Sequence, residues 1–269
     1  MKHLIREFAF NLGFFGGKFI PWSRRSALAG YEIRRGDTFM CSYPRSGNTW
    51  TRMIIAMLIQ PDLDSVDIDL IDRVVPDAGS PQVDGALRRV FKQHRPDFDL
   101  FPRVICNIRD GRDVVVSSYK YYQKALGYEM DFDTFLLSRK AQVFGFWHEH
   151  VRTALDFSKL HPDRILFMKF EDLKKDFNGE VKNLAEFLRV PVSAQRISEI
   201  KEITGLKRQK VIAEKSDDPR KSSTINRGRT HSYTELLNGR NLEIFEAISF
   251  YELQHFGYSL TTASSTTVD

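Results

Sequence analysis

Short apolar runs and longer amphipathic ones alternate along the chain. Thr38-Phe39-Met40-Cys41 is brief and apolar, whereas Thr51 to Leu58 is longer, rich in Met, Leu and Ala, and free of Gly and Pro. With the polar stretch Ser42–Trp50 between them, they predict strand, loop and helix. Leu87–Lys92 is strand-sized, and Val104–Ile108 is nearly continuous in apolar side chains, as in strands buried on both faces of a parallel sheet. Phe132–Leu160 carries two helical segments, Arg164–Leu173 predicts a strand, and Val181, Leu184, Ala185 and Leu188 share one helix face. A last helix is predicted over Thr234–Phe256. Pro61–Pro81 is polar and acidic with little periodicity, hence a long loop or broken helix. The chain is long enough for one α/β domain or two small ones.

The 269 residues show no shift in composition, which predicts a single domain, with a small, polar, frayed tail over 261–269. The net charge of +5 suits a polyanionic ligand or an anionic surface but selects neither. Cys41 and Cys106 are the two cysteines, both in strand-like runs; they form no disulfide framework or metal spacing and point to a reducing compartment. His148 and His150 are two apart, so they leave a helix on different sides, and no metal site is expected. Met1–Trp22 holds the run Phe8–Phe15, interrupted by Asn11 and Gly13; it is too short for a membrane span and lacks a cleavage site. Two readings stay open for it: peripheral membrane contact beside Lys18, Arg24 and Arg25, or packing at a strand edge or core. A cytoplasmic location is expected.

The loop Ser42–Trp50 has the chemistry of an anion site. Pro44 and Gly47 permit a sharp turn, Ser46, Asn48 and Thr49 can donate or cap, and the N–H groups of the next helix point into the loop. Arg45 adds a permanent positive charge. The full G-x-x-x-x-G-K-[ST] pattern is absent, which disfavours an ordinary ATP or GTP site. Further on, Gly111 is expected to turn the chain after the strand and Asp113 to complement the next helix dipole. Arg109 and Ser117 can both reach an anion in front of the sheet edge. Lys207–Arg229 is basic and polar and reads as a loop able to bind polyanions.

These stretches carry a resemblance. Tyr43-Pro44-Arg45-Ser46-Gly47-Asn48-Thr49-Trp50 is similar to the Y-P-K-S-G-T-T-W loop of the cytosolic-type sulfotransferases, which holds the 5′-phosphosulfate of 3′-phosphoadenosine 5′-phosphosulfate (PAPS); Arg45 and Asn48 are the departures. Lys92-Gln93-His94-Arg95-Pro96 resembles that family's K-T-H-L-P, whose His is the catalytic base and whose Lys contacts the transferring group. Arg109 to Tyr119 resembles R-N-P-x-D-x-x-V-S-x-Y, which implies that Arg109 and Ser117 bind the 3′-phosphate. Gly145–Val151 resembles G-S-W-x-x-H-V and implies packing roles for Trp147 and His150. The region from His161 to Leu173 resembles H-P-x-x-x-L-x-x-Y-E-D-L, with Phe170 in place of the Tyr that contacts the nucleotide. Thr204-Gly205-Leu206 falls where the family has T-S-F, so Leu206 can press on the adenine without stacking, leaving Trp50 as the main stacking surface. Asn226-Arg227-Gly228-Arg229 stands at the family's R-K-G closing segment on the 3′-phosphate. The family's K-T-V dimer segment is not visible, and the oligomeric state is open.

The resemblance covers about residues 37–258, the core, with 1–36 as an N-terminal extension, and implies an α/β fold with a central, mostly parallel sheet flanked by helices, a P-loop-like strand-loop-helix and the nucleotide at the C-terminal strand ends. It implies an enzyme that moves a sulfuryl group from PAPS to a hydroxyl, or as second choice an amine, of a small-molecule, lipid or carbohydrate acceptor, releasing adenosine 3′,5′-bisphosphate (PAP). His94 is then the general base, while Arg45, Lys92 and the helix behind Gly47 stabilise the leaving phosphate without a metal. No nucleic-acid partner is implied. Two alternatives from other classes are a P-loop nucleotide kinase or phosphotransferase, and a non-enzymatic polyanion-binding protein built on the basic stretch.

Overall fold

The computed structural model describes residues 14–15, 18–19, 32–139, 141–142, 144–214 and 230–261. Two very short strands, β1 (Phe14–Phe15) and β2 (Lys18–Phe19), pair antiparallel. The main sheet contains β3 (Thr38–Cys41), β4 (Val90–Gln93), β5 (Arg103–Ile108) and β6 (Ile165–Lys169), all parallel, in the order β4-β3-β5-β6. Residues alternate between its faces with the two-residue period of a strand. Phe39, Cys41, Val104 and Cys106 enter one apolar layer, and Met40 and Ile105 the other. Each layer is covered by helices.

On the Met40 face lie α1 (Asn48–Ile59), α2 (Ile68–Val74) and the later helices α7 (Phe177–Leu188) and α8 (Ala194–Thr204). On the Phe39 face lie α3 (Gly111–Leu126), α4 (Phe132–Leu137), α5 (Trp147–Leu160) and, near the C-terminus, α10 (Gly239–Ile248) and α11 (Phe250–His255). The short α6 (Phe170–Lys175) follows β6, and α9 (Leu206–Glu214) follows α8. From β3 the chain crosses outward to β4, then returns to β5 on the other side of β3. The loops after β3 and β5 therefore splay apart at this switch in strand order, where α/β sheets place their ligands.

Several sequence expectations shift. The strand expected over Arg164–Leu173 ends at Lys169, and Phe170 opens a helix whose acidic first turn (Glu171, Asp172) and basic last turn (Lys174, Lys175) suit the helix dipole. The strand expected over Leu87–Lys92 starts at Val90 and runs to Gln93. Within the acidic stretch, Asp67 accepts from Leu70 N at 2.8 Å and caps α2. Lys207, Arg208 and Lys210 sit on α9 rather than in a loop. The last predicted helix breaks at Ser249 into α10 and α11, after a 3-10 turn at Ser232–Glu235.

Gly111 is not a turn residue but the first residue of α3, behind the cap Asp110, which accepts from Arg112 N at 3.0 Å. Its value lies in its missing side chain: a Cβ there would stand 2.4 Å from the Trp147 ring. Trp147 is buried, as expected of a packing residue.

Candidate active site

The loop between β3 and α1 is shaped by backbone that few residues tolerate. Arg45 has φ 70° and Gly47 φ 98°, the left-handed region. A Cβ on Gly47 would meet Phe170 at 2.9 Å, so glycine is required there both for its φ and for the ring packed on it. Gly47 caps α1 without a side-chain hydrogen bond, and the first turn of α1 holds no acidic residue. The positive end of a 12-residue helix thus opens into the loop. Ser46 Oγ is buried with no hydrogen-bond partner among the described residues, as are Asn48 Oδ1 and Asn107 Oδ1. A buried hydroxyl at the mouth of a helix fits an anionic oxygen of a bound ligand.

The loop is fastened to the neighbouring strand. Asn107 N donates to Ser42 Oγ at 2.7 Å, and Asn107 Nδ2 donates to Thr51 Oγ1 at 2.5 Å. Arg109, at the end of β5, donates through Nη1 to the Arg45 carbonyl at 3.2 Å, and its Nη2 lies 3.6 Å from Asp113. Arg45 Nε donates to Ser117 Oγ at 3.2 Å, with its guanidinium 5.0 Å from the Tyr121 ring centre. Burial lowers the Arg45 pKa, Tyr121 opposes the shift and Arg109 adds to it. Arg45, Arg109 and Ser117 therefore form one cationic cluster, with Arg45 turned toward Ser117. Asp113, expected only to complement a helix dipole, also accepts from His231 N at 2.9 Å and Ser232 Oγ at 3.1 Å.

On the other side of the loop stand Lys92 and His94. The half-buried His94 ring donates from Nδ1 to the Ser42 carbonyl at 2.9 Å, which leaves the lone pair on Nε2; the Asn48 amide nitrogen lies 3.3 Å from the same Nδ1. Desolvation, then the nearby Lys92 charge, pushes the His94 pKa down to about 3, so the ring is neutral at physiological pH. Its ring centre is 5.2 Å from that of Phe144. Lys92 Nζ pairs with Asp77 Oδ1 at 3.0 Å. Partial desolvation works to raise the Asp77 pKa, but the Lys92 charge and hydrogen bond, with Arg52 behind them, hold it below the ordinary carboxylate range.

Beyond α1 the third group is aromatic. Trp50 stands edge-on to Phe170 at 5.8 Å and stacks on Phe177 at 5.9 Å, and its Nε1 donates to Thr204 Oγ1 at 3.3 Å. Phe170 also lies 5.1 Å from the Arg109 guanidinium. Leu206 begins α9, 39% exposed. Thr49 is the second residue of α1. Arg45, Ser46, Gly47, Asn48, Thr49, Trp50, Lys92, His94, Arg109, Ser117, Phe170, Thr204 and Leu206 thus fall in these three groups or at their borders. Asn226, Arg227, Gly228 and Arg229 lie outside the described residues, as do the tail from 262 and most of the N-terminal extension.

Sequence reasoning missed Phe177, Phe144, Tyr121 and Asp77. Phe177 reads as one more apolar residue of an amphipathic helix, and Asp77 is one acid among six in the Pro61–Pro81 stretch (Asp62, Asp64, Asp67, Asp69, Asp72, Asp77). No cluster of three or more potential metal ligands occurs among the described residues. None of their helices is long and apolar enough to cross a membrane.

Residues 35–257 match the family model described as the sulfotransferase domain. Among curated proteins, flavonol 4′-sulfotransferase of Flaveria chlorifolia is 28% identical over 200 residues, 64% of this chain and 61% of its own length. Sulfotransferase 1A1 of Bos taurus is 28% identical over 206 residues, 68% of this chain and 69% of its own length. The match thus spans less than two thirds of the plant protein. Among solved structures, mouse sulfotransferase SULT7A1 complexed with PAP superposes with a TM-score of 0.67 at 19% identity, covering 90% of this chain and 93% of that one. Retinol dehydratase in complex with androsterone and the inactive cofactor PAP gives 0.63 at 20% identity, covering 86% and 85%. These two likenesses establish a shared α/β fold.

Proposed function

The chain belongs to the sulfotransferase family, and from that membership we propose that it transfers a sulfuryl group from PAPS to the hydroxyl of an acceptor, with His94 as general base. The observation that carries the reading is the His94 ring: neutral, tethered at Nδ1 to the Ser42 carbonyl, and presenting the free lone pair of Nε2 beside Lys92 at the mouth of α1.

In this reading the acceptor oxygen forms a bond to sulfur as the bond from sulfur to the bridging phosphate oxygen breaks. The acceptor proton passes to His94 Nε2, and the electron pair of the broken bond stays on the phosphate. Lys92 and the N–H groups at the start of α1 neutralise that developing charge, each preorganised donor contributing roughly 3 kcal/mol. Arg45 and Ser46 Oγ face the 5′-phosphosulfate, Arg109 and Ser117 hold the 3′-phosphate, with Arg45 Nε bonded to Ser117 between the two, and Trp50 with Phe170 and Leu206 brackets the adenine. The structural relatives complexed with PAP support the nucleotide assignment by analogy. Asn226, Arg227, Gly228 and Arg229 complete the 3′-phosphate side in the same proposal, within a single-domain, cytoplasmic protein. The acceptor is a small molecule, lipid or carbohydrate, and Met1–Trp22 supplies a peripheral membrane contact if the acceptor is lipid-borne.

The test is thermal stabilisation by PAP, compared with 5′-AMP and with ATP plus Mg²⁺. A ligand at about one hundred times its Kd adds about 2.7 kcal/mol and moves melting by several degrees. A shift with PAP alone supports the donor site. An equal or larger shift with ATP plus Mg²⁺ overturns it in favour of a phosphotransferase.

A further inference from the structure

Asp77 is placed by backbone as well as by side chain. Lys92 N donates to the Pro76 carbonyl at 2.7 Å and Ala78 N to the Lys92 carbonyl at 2.8 Å, so residue 77 runs parallel beside Lys92 as a one-residue extension of the sheet beyond its edge strand β4. This fixes the carboxylate at the end of the sheet where His94 stands, two residues past Lys92. Oδ1 is 3.0 Å from Lys92 Nζ, yet the side chain remains 68% exposed. An ammonium has three N–H groups, so Lys92 can serve Asp77 and still reach a second oxygen. Asp77 therefore stands with one oxygen on Lys92 and the rest of its carboxylate open, at the strand end that leads to His94.

A fixed negative charge is out of place there. The adjoining cluster of Arg45, Arg109, Ser117 and the α1 terminus is built for a polyanion, and charge accumulates on the donor side as transfer proceeds. A carboxylate close by repels that charge unless a cation on the acceptor side offsets it. Lys92 alone cannot offset both, since in the proposed reaction its charge is already committed to the leaving phosphate. On the other side of the base stands Phe144, whose ring centre lies 5.2 Å from that of His94. Phe144 beside His94 and Asp77 beside Lys92 are thus an aromatic surface and an anionic anchor available to an acceptor that reaches the base.

We propose that Asp77 selects the acceptor, and that this acceptor is a hydroxyl compound bearing a protonated amine, the ammonium resting on Asp77 while the hydroxyl meets His94 Nε2. The inference rests on the sulfuryl-transfer reading given above and names the acceptor class of the same site.

Tyramine and 4-ethylphenol, which share a phenol and differ chiefly in the ammonium, are the probes. Their binding to the PAP-saturated full chain is measured by calorimetry in wild type and in Asp77→Asn, a variant close in size and at an exposed position. Tyramine is expected to bind at least about tenfold tighter than 4-ethylphenol in wild type, equivalent to about 1.4 kcal/mol, with the ratio falling toward unity in Asp77→Asn. Equal or weaker binding of tyramine, no binding of either probe, or a preference that survives Asp77→Asn overturns the proposal. So does an equal loss for both probes, which would make Asp77 a positioning residue for Lys92 alone. Failure of PAP to stabilise the protein would instead remove the donor site, a separate result.

Discussion

His150 donates through Nε2 to the carbonyl oxygen of His94 at 3.0 Å. The bond runs from the interior of α5 to the backbone of the proposed base, and the His150 ring is held edge-on by Tyr43 at 5.8 Å and Phe98 at 6.0 Å. His150 Nδ1 is buried without a hydrogen-bond partner among the described residues, so the ring is shaped to donate once and stay neutral. His150→Leu should leave the His94 carbonyl unsatisfied and cost about 1 to 3 kcal/mol in urea unfolding. His150→Gln, which keeps a donor at a similar reach, should recover most of that loss.

Acid should destabilise the fold earlier than carboxylate titration alone would. Desolvation lowers the pKa of His94 to about 3 and that of His150 to about 4, whereas an unfolded imidazole titrates near about 6.5. Both shifts are downward, so the unfolded chain binds protons that the folded chain refuses as pH falls below that unfolded value. Their contribution is complete above it and is lost progressively toward the folded pKa values. Melting temperature should fall steadily from about pH 6.5 to about pH 4.5, and less steeply in His150→Gln. A flat profile over that window would contradict the neutral, desolvated imidazoles.

Gly111 and Trp147 set a steric test. With a Cβ on residue 111 placed 2.4 Å from the indole, Gly111→Ala forces either α3 or α5 to move. The expected cost is about 1 to 3 kcal/mol, typical of overpacking. Trp147→Leu in the same background should relieve part of it, a coupling that a double-mutant cycle measures directly.

A buried ion network ties the C-terminal helices to α3. Arg112, 2% exposed, donates to Asp110 at 2.7 Å and to Glu246 at 2.6 Å, and its guanidinium lies 4.6 Å from the Tyr233 ring centre. Removing the cation leaves two buried carboxylates without it, so Arg112→Ala should lose about 3 to 5 kcal/mol of stability by urea denaturation.

Arg109→Ala and Ser117→Ala should weaken PAP binding by about 1 to 3 kcal/mol each, as expected for charge-assisted contacts. The double variant should lose less than the sum, because Arg45 bridges the two through its carbonyl and its Nε. Calorimetric titration of the four proteins with PAP gives the comparison. Additive losses would show that the cluster does not act as a unit.

Much of the candidate site was visible in the chain because its parts are local. Phe39 to Cys41, Pro44 to Gly47 and Met53 onward specify strand, strained turn and helix within some twenty residues, and the same holds for Val104 to Ser117. Helix boundaries were less visible. The strand β6 ends at Lys169 and Phe170 opens a helix whose end charges lie at Glu171, Asp172, Lys174 and Lys175, and Ser249 interrupts a continuous apolar period by geometry that composition does not express.

By itself the sequence determined which chemistry sits at the end of which strand: Arg45 and Ser46 after β3, His94 after β4, Arg109 after β5. Side-chain periods of two and 3.6 and turn-forming residues are encoded over a few neighbours, so they survive in a single sequence. Only the tertiary structure decided that Arg45 faces Ser117, that Phe177 backs Trp50, that His150 holds the His94 carbonyl and that Asp77 stands opposite Lys92. Those pairings depend on strand order and on the face to which each crossover helix returns. They join residues far apart in the chain, and a local pattern carries no record of which distant surface will cover it.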